Sequence, residues 1–377
     1  MNWLQKKQDE ARACFNTLPT PNLRYGLTIK IKTEIVFPEK VITVDETQRP
    51  DSNENSTVMP LLEALMKYGE LVTDYLFSTI DYTKDKFLAH HVSNLNRGTF
   101  VYIKKNTLLK EPLHITNNAD GEGSVDHTLI IVEEGASVEV IQSTITNQKK
   151  GYHSEVIEVI AQDNSHVKIG YVQDLPVGFV NNAVLKARTG KNATVDWFTA
   201  SLGSSLARIE ASTFLDGEGS KTNNHGLFFG DVGQEFDLNM TSVHNAPHTE
   251  SDILSKGSLN KQCSAIYRGL INIDARAPRS NAYQKEETLI LGEDCEADAI
   301  PNLEINNNDV KCSHGTTIGR IDENKLFYLM TRGLSRKDAQ KLVVEGFFNP
   351  LIEEIPIPEL RHEVKKSIAL KAEQIEG

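Results

Sequence analysis

Three stretches of this chain repeat one short pattern, in which a turn-forming pair is followed by strictly alternating side chains. Gly135-Ala136-Ser137-Val138-Glu139-Val140 returns as Asn164-Ser165-His166-Val167-Lys168-Ile169 and again as Asn192-Ala193-Thr194-Val195-Asp196-Trp197. The copies lie about 28 residues apart, inside the range that marks stacked repeats. A looser echo follows at Gly233-Gln234-Glu235-Phe236-Asp237-Leu238. In an extended segment successive side chains point to opposite faces, so the β-branched or bulky member of each copy turns inward and its neighbours turn out. One such coil cannot bury its own apolar face, but a stack of coils encloses a continuous core. A β-sandwich also uses many short strands, yet it has no reason to keep a period. The pattern therefore favours a β-solenoid.

Three zones differ in texture. Residues 1–95 are mixed: a helix over Leu4–Leu18 ended by Pro19 and Pro21, a strand over Leu27–Phe37, a polar loop at 51–56, and an amphipathic helix over Met59–Phe77. Residues 96–322 form the β-helix core, almost wholly short β-type segments such as Leu129-Ile130-Ile131-Val132 and Val156-Ile157-Glu158-Val159-Ile160. Residues 323–377 switch to helical spacing. Ser335-Arg336-Lys337-Asp338 reads as a capping box, Ala339, Leu342, Val343 and Phe347 share one side, and Pro350 is expected to stop that helix. A last helix is expected over Pro358–Gln374. Too short to hold a core alone, these helices should cap the solenoid end or offer a face to a partner.

Net charge is −12, from 40 basic and 52 acidic residues. Nucleic-acid binding rests on Lys and Arg neutralising phosphates, and no basic stripe occurs, so that class is set aside. No run of about 18 apolar residues exists to span a membrane, and the first residues lack the apolar stretch of a signal peptide. Cys14, Cys263, Cys295 and Cys312 are too few for a disulfide framework in this length. A reduced, cytoplasmic protein is expected.

Candidate chemistry is sparse. Phe214-Leu215-Asp216-Gly217-Glu218-Gly219-Ser220-Lys221-Thr222 superficially suggests a phosphate loop, but Ser220 stands where glycine must precede lysine and Leu215 where another glycine is needed. It reads as a polar turn. His244 and His248 are four apart, but Pro247 denies them the helix a zinc pair would use, and hydrogen bonding around a turn is the favoured role. Cys312-Ser313-His314 is sharper, since residues two apart on a strand project together and both donors suit iron. Cys295 is 17 residues earlier in sequence, and its direction is open. A β-helix carbohydrate enzyme would need a pair of carboxylates at a cleft, and none is singled out.

Several ordered blocks then carry a resemblance. Asp309-Val310-Lys311-Cys312-Ser313-His314-Gly315, Ile318-Gly319-Arg320-Ile321-Asp322 and Leu326-Phe327-Tyr328-Leu329-Met330-Thr331-Arg332-Gly333-Leu334-Ser335 closely resemble the C-terminal signature of the SufB/SufD family of iron–sulfur cluster assembly scaffolds. His244–Asp252, Tyr267-Arg268-Gly269 and Asn281-Ala282-Tyr283-Gln284 resemble its other blocks. The resemblance is strong over about residues 220–350 and implies a right-handed parallel β-helix flanked by helical segments. It also implies a scaffold rather than an enzyme, pairing with SufB (or with a second copy of itself) and carrying a SufC ATPase on its C-terminal helices. ATP then acts only through SufC, and iron or an iron–sulfur cluster is held transiently at the interface with SufB. In SufB a cluster-building cysteine stands six residues before the glycine matching Gly292, where this chain has Glu286, and His-Glu stands where it has His314-Gly315. Both departures resemble the SufD branch. On that footing His314 and Cys312 are the expected metal-facing residues, and Leu342, Val343, Phe347, Phe348 and Leu351 the expected SufC contact.

Overall fold

The computed structural model describes residues 2–23 and 30–375. Two sheets, parallel throughout except at β1, run the length of the molecule. One has the order β1 (Ser56–Pro60), β2 (Gly98–Ile103), β4 (Gly123–Val132), β6 (Lys150–Ala161), β8 (Gly178–Thr189), β10 (Leu206–Leu215), β12 (Glu235–His244), β14 (Ser264–Ile273) and β16 (Glu296–Ile305). The other has β3 (Leu113–Asn118), β5 (Ser137–Ile145), β7 (His166–Gln173), β9 (Thr194–Ser201), β11 (Lys221–Gly230), β13 (Glu250–Leu259), β15 (Asn281–Ile290) and β17 (Lys311–Arg320). The chain alternates between them, so each even strand and the odd strand after it make one coil of a parallel β-solenoid of about eight turns.

The period seen in the sequence is the period of one corner. Asn106, Gly135, Asn164, Asn192, Gly219, His248 and Arg279 all hold left-handed backbone, with φ between 53° and 74°. At each the amide reaches a carbonyl of the next coil, as Asn164 N to Lys191 O (2.7 Å), Asn192 N to Glu218 O (2.9 Å) and Gly219 N to Pro247 O (3.1 Å). Asparagine and glycine tolerate this conformation best, which is why the first copies are legible. The fourth copy is Gly219-Ser220-Lys221, inside the stretch that mimics a phosphate loop. The echo at Gly233 belongs to the opposite corner, where Gly233 leads into β12.

Inside the coils, Val138, Val140, Ile169, Trp197, Ile209, Phe228 and Phe236 are among the buried side chains that fill the lumen. Outside, the helices cover both sheets. α1 (Asn2–Thr17), α2 (Leu61–Lys67), α3 (Gly69–Tyr75) and α4 (Lys86–Ser93) pack on the even sheet through Leu129, Ile131, Val156 and Val184. The helix expected over Met59–Phe77 is thus two helices, broken at Tyr68 (φ −122°), and Met59-Pro60 belong to β1. The strand expected over Leu27–Phe37 lies partly outside the described residues. Its described part runs as irregular chain, with the amides of Lys32 and Thr33 on the Glu235 carboxylate at 2.7 and 2.6 Å.

α5 (Glu323–Thr331), α6 (Arg336–Glu353) and α7 (Pro358–Glu373) follow the last coil. Ser335 caps α6 by accepting from the Asp338 amide at 3.1 Å. Pro350 does not end α6, which runs on to Glu353, because the amide that proline lacks is lost within the final turn. Nor do α6 and α7 cap the solenoid end. They lie along the odd sheet, Phe348 against Phe229 (ring centroids 6.1 Å apart) and Leu360 over Gly170, where a methyl group would collide with it.

The two ends of the stack therefore differ. At the first coil, β1 pairs antiparallel with β2, and Gln48 exchanges both backbone hydrogen bonds with Thr116 of β3 (2.9 and 3.0 Å). At the last, β16 and β17 end their sheets.

Candidate functional site

β15 alternates cleanly: Ala282, Gln284, Glu286, Thr288 and Ile290 are buried and face the lumen. The register of β17 on β15 sets Cys312 on Ala282, His314 on Gln284, Thr316 on Glu286 and Ile318 on Thr288. Cys312, His314, Thr316 and Ile318 thus point the same way, but no further coil lies over them. Cys312 is half-buried against the core, His314 and Thr316 are exposed, and Ile318 keeps 42% of its surface open. The two donors expected from sequence share a face at the rim of an open rung. Burial pushes the Cys312 thiol up from its ordinary value.

Cys295 lies elsewhere. It precedes β16 at the other corner, beside the end of β17, where Arg320 Nη2 donates to Glu293 O at 3.2 Å. About eight residues of strand separate that end from Cys312, about 26 Å at the usual rise. With Cys263 it lines a cleft of about 710 Å³ whose walls include Lys32, Glu293 and Glu296. His244 is buried at the start of the family blocks, bonded to Thr249 Oγ1 (2.7 Å) and Ser251 Oγ (2.8 Å), and burial holds it down to about 4. His248 is exposed on the left-handed corner.

One rung inside the rim is a polar set whose grouping sequence reasoning missed, although it marked Glu286 as the position of a missing thiol. Glu286 is 1% exposed; Thr288 donates to its Oε1, and burial pushes its carboxyl up to about 7. Gln284 reaches across the lumen to Gly269, where a Cβ would strike its amide. Tyr267 of β14 is buried beside them, its hydroxyl raised by burial and by Glu286. Gln284 and Glu286 are 17 and 19 positions from Tyr267 in sequence, so no local spacing announces the cluster.

The expected SufC contact divides. Phe348 and Leu351 are fully buried in the protein's own core, where a partner does not reach them. Burying a side chain of that size is worth roughly 1.5–3 kcal/mol to the fold itself. Val343 and Phe347 are half-buried, and Lys256 Nζ sits 4.5 Å from the Phe347 ring centre while donating to its carbonyl. Leu342 is 48% exposed, on the rim of a groove between α6 and α7 that Gly346, Pro350 and Ala369 also line. α5 adds an accessible set: Phe327, Tyr328 and Met330 are exposed, while Leu326 alone in that helix is buried. Their signal lay in the signature block that contains them.

Residues 114–347 match the family model described as SUF system FeS cluster assembly, SufBD core domain. The chain is also similar to curated proteins named iron-sulfur cluster assembly SufBD family protein, from Staphylococcus epidermidis, Staphylococcus haemolyticus and Staphylococcus aureus. Each is 28% identical over 357 residues, covering 93% of this chain and 75% of the relative. The matched span runs from β3 through the following coils and the open rung into α6, and the chain belongs to the SufBD family of iron–sulfur cluster assembly proteins.

Proposed function

We propose that this chain is a SufD-like scaffold subunit that pairs with SufB, or with a second copy of itself, through the open rung. The observation that carries this reading is the uncovered coil at whose rim Cys312 and His314 share the lumen-facing side. Unpaired strand edges and half-covered lumen side chains call for a covering chain, and the added edge would bring the remaining ligands. Neutral imidazole and thiolate both suit ferrous iron, and two donors from one chain hold it loosely enough for a cluster to leave. The iron here is cargo. The subunit works in the cytoplasm and turns over no substrate itself; ATP chemistry belongs to SufC.

His314→Ala in the complex with SufB and SufC is expected to leave the assembly intact and lower its iron and acid-labile sulfide. Iron and sulfide contents equal to wild type would overturn the role of His314. A docking platform without ligands is the second reading, favoured by the exposure of His314. Double substitution of Cys312 and His314 separates the two: loss of iron supports the first, and weaker subunit pairing with iron retained supports the second.

SufC is assigned to the accessible apolar face of the C-terminal helices, Phe327 and Leu342 above all. Because a few apolar anchors dominate such contacts, Phe327→Glu or Leu342→Glu should weaken SufC capture about tenfold or more while leaving the melting temperature unchanged. Capture at wild-type strength in both would remove this face from the interface.

A further inference from the structure

The rim has a floor, and at two of its positions that floor is more polar than the coil beneath it. Ile253 occupies the place of Gln284 one coil further in, and Leu238 that of Tyr267. At the last closed rung, Tyr267, Gln284 and Glu286 are between 0% and 1% exposed, yet Tyr267 Oη, both amide atoms of Gln284 and Glu286 Oε2 have no hydrogen-bond partner among the described residues. Buried polar atoms are normally satisfied, and four orphans in one rung mark a place where something polar sits. The bond from Thr288 fixes Glu286 by one oxygen and leaves the other free. No cationic side chain bears on that carboxyl among the described residues. Above it lies Thr316, small and exposed, and above Gln284 lies His314, one strand spacing of about 4.8 Å away.

We infer that Glu286 is an inner oxygen ligand for ferrous iron, with Gln284 beside it, taking up the ion from the rim held by His314 and Cys312. This rests on the scaffold reading above. Carboxylate and amide oxygens suit a divalent first-row cation, and a buried anion with no counter-charge lowers its own desolvation cost by binding one. The side chains do not stand as a closed metal group, so the ligand set forms around the ion, with Glu286 turning toward the rim. The alternative occupant is ordered water, which needs the same orphan atoms but no charge.

Ferrous iron, titrated anaerobically into the purified chain in complex with SufB against a chromophoric chelator, decides between them. Glu286→Gln keeps the shape and removes the charge. It should weaken iron binding about tenfold or more, the usual cost of losing a supporting ligand, while the melting temperature holds or rises. Gln284→Met, similar in volume, should weaken it in the same direction. Wild-type iron affinity in both variants, alongside loss in His314→Ala, would leave only water in the well and overturn this inference while sparing the scaffold reading. Unchanged iron binding in all three would overturn both.

Discussion

Replacing Arg97 with methionine is expected to destabilise the protein by about 3–5 kcal/mol, the usual cost of stranding one member of a buried ion pair. The Arg97 side chain is 0% exposed and its Nη2 donates to Asp126 Oδ2 (2.5 Å) and to Asn118 O (2.6 Å). Asp126 lies in the lumen with the His153 Nδ1 at 3.7 Å, and beyond it Glu155 accepts from Asn117 Nδ2 (2.6 Å), from Gln142 and from Thr144. Burial already pushes the Asp126 carboxyl up against the pull of Arg97, so without the guanidinium it must take a proton or remain an uncompensated charge. The measurement is the urea midpoint at about pH 7, with an unchanged denaturant slope showing that the native and unfolded states keep their surfaces. Asp126→Leu in the Arg97→Met background should recover part of the loss, because a pair replaced by apolar groups no longer buries a lone charge. A shift within about 1 kcal/mol in the single variant would mean the pair contributes no more than an exposed one.

Acid should act on the fold through histidines that cannot charge. Burial holds His90 and His244 down to about 4 and His91 well below its ordinary value. Unfolded, all three titrate near about 6.5, so above that pH they cost nothing. As pH falls below it, the unfolded chain binds protons the native state refuses. Stability then drops by about 1.4 kcal/mol per pH unit for each histidine down to about pH 4, about 4 kcal/mol per unit for the three. Glu286, with its folded value near 7 against 4.5 unfolded, works with the opposite sign: its contribution is present below 4.5 and is lost as pH rises to 7. Asp126 and Asp196, also raised by burial, share that direction. A variant difference isolates the histidine part. His244→Gln should flatten the fall in urea midpoint between about pH 6 and 4.5 by about one proton's worth, and parallel curves for variant and wild type would show that His244 is charged in the native state.

How much of this was legible follows from which physical constraint each residue obeys. Gly135, Asn164 and Asn192 could be read as a ladder because left-handed corners select those residue types. The ladder faded at His248 and Arg279, which hold the same corner through stacked backbone hydrogen bonds and carry no turn signature. Gly219 hid in a run that looked like another motif. Cys312 and His314 were readable as neighbours on one face because a strand repeats every two residues, and that much needs no tertiary information. Their exposure was not readable, since it depends on α6 and α7 lying along the odd sheet instead of over the last coil. The same placement turned Phe348 and Leu351 from expected contact residues into core. Glu286 drew notice from sequence as a position where a thiol was missing; its burial beside Gln284 and Tyr267 arises only when the coil brings two sheets together.

The unequal ends of the stack limit how such molecules can associate. At the first coil Ser52 and Asn53 take up outer backbone groups of β1, and the Gln48 strap bonds Thr116 of β3, so a neighbour finds less free template there than at the last coil. Growth by edge addition has a single terminus to use, and when two of these termini meet they consume each other. Edge pairing of that kind, on the reading proposed above, ends at two chains.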